Sequence, residues 1–216
     1  MQDVLFLNNK PGNPRNSEGA FVELSDGRIL FAYTRYTGDS WADHAHADLA
    51  CRESNDGGRT WSSEDRMLFT HTQENAHNLM SISLLRLPSG RILLFCCKKY
   101  LEPGANIKDI QCVQCCAMSD DNFKTLSPLQ IVGEKQGYYT LNNDRVVRLS
   151  TGRLIMPLGI GRTADKSVVR GAVYLRSDDD GKQWQKSNYL TFPGVDDLVG
   201  LQEPGVVELS DGRLWS

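Results

Sequence analysis

The chain has 216 residues, 40% hydrophobic and 24% charged, with a formal net charge of −3. That length supports one domain with a sizeable core, and mild acidity without a basic stripe argues against nucleic acid as a partner. No stretch is long and apolar enough to span a membrane. Met1-Gln-Asp-Val lacks the charged and apolar regions of a signal peptide, so a cytoplasmic location is expected.

In chain order, the first unit reads as strands over roughly 19–25, 28–36, 46–54 and 61–69. The first two are joined by Phe21-Val-Glu-Leu-Ser-Asp-Gly27-Arg28, a β run, a tight turn ending Gly-Arg, then a second apolar run. The same phrase returns at Gly90-Arg91, Gly152-Arg153 and Gly212-Arg213, 60 to 63 residues apart each time. A fixed period of this size marks stacked copies of one supersecondary unit. A second phrase keeps the period: Ser54-Asn-Asp56-Gly-Gly58-Arg-Thr60-Trp61 recurs as Ser177-Asp-Asp179-Asp-Gly181-Lys-Gln-Trp184. A worn copy, Ser119-Asp-Asp121-Asn-Phe-Lys-Thr125-Leu126, lacks the Gly and the Trp. This is hairpin-turn chemistry: a short Asp side chain bonds nearby backbone N–H, Gly accepts positive φ, and the Trp covers the turn. A calcium loop is not expected, because the spaced ladder of oxygen ligands is missing.

Each period therefore reads strand, Gly-Arg turn, strand, link, strand, Asp turn, strand, with no helical period. Such units are four-stranded antiparallel β-propeller blades. The blades are expected near 15–70, 78–133, 140–191 and 200–216, the last incomplete: an all-β fold of about three and a half blades. An open propeller would expose a strand edge and apolar faces, so self-association is expected. Cys112, Cys115 and Cys116 could hint at a metal, but strand positions three apart face opposite sides. Buried, reduced strand cysteines are expected instead, together with Cys51, Cys96 and Cys97.

Equal offsets from the repeated Gly locate a site. Nine residues before each stand Glu18, Ser81, Asn143 and Glu203. They begin the innermost strands and should ring one mouth of the central channel. Arg15, Asp144 and Arg145 lie beside them, so carboxylates, amides and an Asp-Arg pair converge, as a ligand site requires. The link Thr37-Gly-Asp-Ser-Trp41-Ala-Asp43-His44-Ala-His46 faces the same mouth. Its Trp, Asp and His suit sugar binding and proton donation, and an ordinary polar loop would look the same.

The Ser-x-Asp-x-Gly-x-Thr-Trp phrase resembles the Asp box of sialidases, here Ser54, Asp56, Gly58, Trp61 and again Ser177, Asp179, Gly181, Trp184. The stretch from Asp43 to Trp61 looks like the sialidase segment leading into the first Asp box, and Gln202-Glu203-Pro-Gly-Val-Val-Glu-Leu resembles the sialidase segment of the fourth blade. The resemblance, over essentially the whole chain, implies a sialidase-type propeller of an expected six blades and an exo-acting glycoside hydrolase that removes terminal sialic acids from glycoconjugates. It implies Asp43 as acid/base and Glu203 as the group that activates a Tyr nucleophile; the substrate contacts, expected from their place at the mouth rather than from the resemblance, are Arg15, Glu18, Trp41, Asn143, Asp144 and Arg145. No cofactor or metal is implied. A Tyr is used because a carboxylate nucleophile would be repelled by the sugar's own carboxylate.

Two departures stand out. The Tyr and two of the family's three carboxylate-binding arginines would fall beyond residue 216, so this chain alone should be inactive or badly impaired. The first of those arginines, expected in an Arg-Ile-Pro phrase, is replaced by Asn16-Ser17-Glu18-Gly19, with Arg15 nearby. Either Arg15 substitutes, or the terminal sugar is neutral. A non-catalytic carbohydrate-binding propeller and a purely structural one remain the other classes.

Overall fold

The computed structural model of the protein describes residues 4–165, 167–191 and 202–216. It is an all-β structure of antiparallel blades. Four strands form the first blade: β1 (Asn16–Glu23), β2 (Ile29–Tyr36), β3 (Ala47–Ser54) and β4 (Arg66–Phe69), hydrogen-bonded in that order. The second contains β5 (Asn78–Arg86), β6 (Ile92–Tyr100), β7 (Gln111–Ser119) and β8 (Gln130–Val132). In the third, β9 (Tyr138–Thr140) and β10 (Val147–Arg148) both pair with β11 (Leu154–Arg162), followed by β12 (Val168–Ser177) and β13 (Gln185–Lys186). A hairpin of β14 (Val207–Glu208) and β15 (Leu214–Trp215) begins a fourth. One parallel pairing, Cys112 with Tyr138, joins blades two and three into a single sheet.

The four Gly-Arg turns are geometrically identical. In each, a Leu N–H donates to the Arg carbonyl and the Gly N–H donates back to that Leu carbonyl: Leu24/Arg28, Leu87/Arg91, Leu149/Arg153 and Leu209/Arg213, at 2.8–3.1 Å. The glycines sit at φ +80 to +91, where a side chain would be strained.

In blades two and three the two repeated phrases bind each other. Arg91 clasps Asp120 through two bonds of 2.6 and 2.8 Å, and Arg153 clasps Asp178 at 2.6 and 3.1 Å. Blade one has Asn55 at the matching place, and Arg28 turns instead to Asp26 and Glu53.

The worn copy of the Asp turn keeps the whole geometry. Ser119 Oγ accepts from the N–H of Phe123 at 2.9 Å, as Ser54 and Ser177 do from Gly58 and Gly181. Asp121 accepts from the Thr125 backbone and hydroxyl, as Asp56 does from Thr60. Phe123 stands where the others have Gly, at φ +66, and its ring lies in the core between blades one and two. Trp61 and Trp184 close their own turns by donating to the carbonyls of Gly58 and Gly181. The fourth strand of blade one is shorter than expected, starting at Arg66, because Trp61 belongs to the turn and the chain leaves the sheet until Asp65.

Packing follows strand alternation. In β6, Ile92, Leu94 and Cys96 face blade one, while Leu93, Phe95 and Cys97 face blade three. A run buried on both faces reads as continuous apolar sequence, as Ile92 to Cys97 does. All six thiols are buried and unbridged. Cys112 and Cys116 lie in one core and Cys115 in the other, as alternation requires. No helix among the described residues is long and apolar enough to cross a membrane.

Candidate active-site cleft

A left-handed residue recurs near the start of every innermost strand: Glu18 (φ +54), Ser81 (φ +58), Asp144 (φ +53) and Glu203 (φ +53). None is glycine, so each stores about 1–3 kcal/mol of backbone strain. In β1 and β5 the residue sits at a register shift, a bulge that re-aims the side chain. In blade three the strand breaks there, between β9 and β10. The ring member expected at Asn143 is therefore Asp144: the third unit has one residue fewer between bulge and turn, so counting from Gly152 overshoots by one.

Hydrogen bonds lock neighbouring bulges together. Ser81 Oγ donates to Glu18 at 3.3 Å, and the Ser81 N–H to Thr34 Oγ1 at 3.2 Å. The Asp144 N–H donates to the Ile82 carbonyl and the Arg145 N–H to Ser83 Oγ, both at 2.9 Å.

The link carrying Asp43 is held along its backbone. Lys99 Nζ donates to the Asp43 carbonyl at 2.9 Å, and Asn78 Nδ2 to the Ala45 carbonyl at 2.6 Å. His77 Nε2 meets the His44 carbonyl at 2.7 Å, and His46 Nδ1 meets the His77 carbonyl at 2.8 Å. The Thr37 N–H closes the link onto the His46 carbonyl at 2.9 Å. Blade two thus fixes a blade-one segment whose strand pairing among the described residues is one isolated bridge, Gly38 with Gly12.

These elements enclose a cleft of about 330 Å³. Glu18, Asp43 and Glu203 line it, with Lys99, Arg170, His44, Tyr138 and Asn142. Arg15 is bonded to Asp43 at 2.6 Å, lies over the Tyr36 ring at 4.6 Å and also donates to the Trp41 carbonyl. That bond holds the Asp43 carboxyl below the usual carboxylate range, and the Asp43 side chain is 69% exposed. A general acid needs the opposite shift, from a partly desolvated pocket. The cleft carboxyl that burial pushes up is Glu18. Burial likewise raises the Tyr138 hydroxyl, the wrong direction for a nucleophile, and lowers the His44 imidazole.

The other expected contacts lie around the cleft. Trp41 is 72% exposed on the loop outside it. Asn143, Asp144 and Arg145 are set back from the lining, where Asn142 takes their place. Burial raises the Asp144 carboxyl, and the Arg145 guanidinium reaches Gly205 of blade four. Ser54, Asp56, Gly58 and Trp61, with Ser177, Asp179, Gly181 and Trp184, stay in their turns at the opposite ends of the strands. The sequence reasoning missed Lys99 and Arg170. Lys99 had a signal: it follows Leu93, Phe95 and Cys97 on the core-facing parity of β6, an odd place for a lysine.

No protein-family model matches the chain. A stretch of 97 residues, 43% of the chain, is 34% identical to a sialidase of Clostridium perfringens, spanning 25% of that protein's length. Among solved structures, a protein of unknown function from Dyadobacter fermentans superposes with a TM-score of 0.75 at 18% identity, over 95% of this chain and 62% of that one. The leech intramolecular trans-sialidase, solved with 2,7-anhydro-Neu5Ac, superposes with a TM-score of 0.70 at 15% identity, over 99% of this chain and 48% of that one. The chain has the all-β fold of sialidases and spans about a quarter of the curated relative it matches.

Proposed function

We propose that the cleft is part of the active site of an exo-acting, retaining glycoside hydrolase of sialidase type, with terminal sialic acid as the first substrate to test. The observation that carries the reading is that Asp43 and Glu203, 160 residues apart in sequence, line one cleft with Glu18. Asp43 protonates the leaving oxygen and afterwards takes a proton from water. Glu203 draws the proton from a Tyr hydroxyl supplied from outside this chain, making it nucleophilic.

The Arg15–Asp43 pair opposes the acid role, so the productive state needs it open. An exposed pair contributes only about 0–1 kcal/mol, and a substrate carboxylate offers Arg15 a better, often bidentate, partner. Arg15 would then exchange Asp43 for substrate, letting the Asp43 carboxyl rise as the leaving group approaches.

The test is turnover of a fluorogenic sialoside by the full-length gene product, with the 216-residue chain and the Asp43→Asn variant beside it. Turnover by the full-length protein alone, lost in Asp43→Asn with binding retained, supports the reading. Unchanged turnover in Asp43→Asn removes Asp43 from it. A second reading, a neutral terminal sugar, is favoured by Glu18, whose carboxylate would repel an anionic group placed against it.

A further inference from the structure

Lys99 is a buried cation that acid/base chemistry leaves unused. Only 3% of it is exposed, yet it lines the cleft. An ammonium has three N–H donors, and among the described residues Lys99 uses one, on the Asp43 carbonyl. Glu18 lines the same cleft from blade one, half-buried, and among the described residues accepts only the long bond from Ser81. The two opposite charges feel each other through the cleft, but no ion pair within 4.0 Å joins them. Donors on one wall and acceptor oxygens on the other are thus held apart, at a high desolvation cost for each.

A hydroxyl is the small group that satisfies such an arrangement, because it accepts and donates at once. A carboxylate could take the Lys99 bonds but would be repelled by Glu18, and an ammonium would meet the reverse conflict. We propose that Lys99 and Glu18 are a specificity-determining donor–acceptor pair that reads one hydroxyl of the terminal sugar, which accepts from Lys99 Nζ and donates to the Glu18 carboxylate. The inference rests on the cleft being a terminal-sugar site. It places any carboxylate of that sugar away from Glu18.

The test is a binding experiment on the chain itself, so it does not need catalysis. The 4-methylumbelliferyl glycosides of sialic acid, galactose and glucose are titrated against the protein, followed by the monodeoxy analogues of whichever binds tightest. The same titrations are run on Glu18→Gln, Lys99→Met and the double variant, with melting curves to show that each is folded. Loss of one hydroxyl should weaken binding to the parent chain about tenfold or more. That penalty should vanish in both single variants, and the double variant should bind no worse than either.

A deoxy penalty of equal size in parent and variants overturns the pair, as do additive losses in the double variant. If Lys99→Met does not fold, Glu18→Gln alone carries the test, because Glu18 makes no bond to the Asp43 link. Binding without hydrolysis by the full-length protein would sink the catalytic reading and leave the pair standing. Hydrolysis with no variant-sensitive hydroxyl would do the reverse. Failure of all three glycosides to bind would remove the sugar site and this inference together.

Discussion

Replacing Phe123 tests how a repeat survives the loss of its glycine. The ring is 1% exposed in the core between blades one and two, with the Arg66 guanidinium 5.6 Å above it. Truncation to Ala removes that burial and leaves a cavity, which costs about 3–5 kcal/mol, and the backbone stays at φ +66. Truncation to Gly removes one carbon more, but it relieves about 1–2 kcal/mol of left-handed strain. Part of that gain, roughly 0.4–1 kcal/mol, is returned as unfolded-state entropy. Phe123→Gly should therefore be the more stable of the two by roughly 1 kcal/mol, although it is the larger deletion. Urea unfolding at low protein concentration reads the difference directly, and in melting it corresponds to about 2–4 °C for a chain of this size. If Phe123→Ala equals or exceeds Phe123→Gly, the turn around Ser119 and Asp121 is not held in the geometry of the Gly-bearing copies, and the account of the worn repeat fails.

Replacing Arg15 with Met should let the Asp43 carboxyl rise, because the depressing hydrogen bond is gone. A carboxyl carbon NMR titration would show it, and no movement of the Asp43 midpoint would discard Arg15 as its controlling partner. The Asp turns set an acid limit. Asp56 and Asp121 are both held down to about 2 by the bonds from Thr60 and Thr125. A depressed acid stabilises the fold above its unfolded range and loses that contribution as pH falls, so stability should drop between pH ~4 and ~2. Thr60→Val with Thr125→Val should blunt this drop, and an unchanged acid limb would refute the assignment. Finally, Phe21 is 55% exposed and stacks on Phe31 beside Trp61, an apolar face available for association. Phe21→Ser should lower the average mass seen by light scattering at a given concentration, and an unchanged mass would place association elsewhere.

Sequence by itself determined the repeat and its turns. Gly27, Gly90, Gly152 and Gly212 had to mark turns because only glycine adopts positive φ there at no cost. Short-range chemistry of this kind survives in one dimension: each turn is closed by bonds between residues three or four apart.

Tertiary structure decided what counting could not. The shift from Asn143 to Asp144 came from one residue missing between bulge and turn, invisible without the backbone angles. Arg15 binding Asp43, Arg91 reaching Asp120 and Lys99 holding the Asp43 link join residues 28 to 56 positions apart. Their electrostatics depend on distance and burial rather than on register. For that reason the sequence could bring Glu18, Asp43 and Glu203 to one mouth, yet only the folded chain made Glu18 the carboxyl raised by burial and Asp43 the one held down by its arginine.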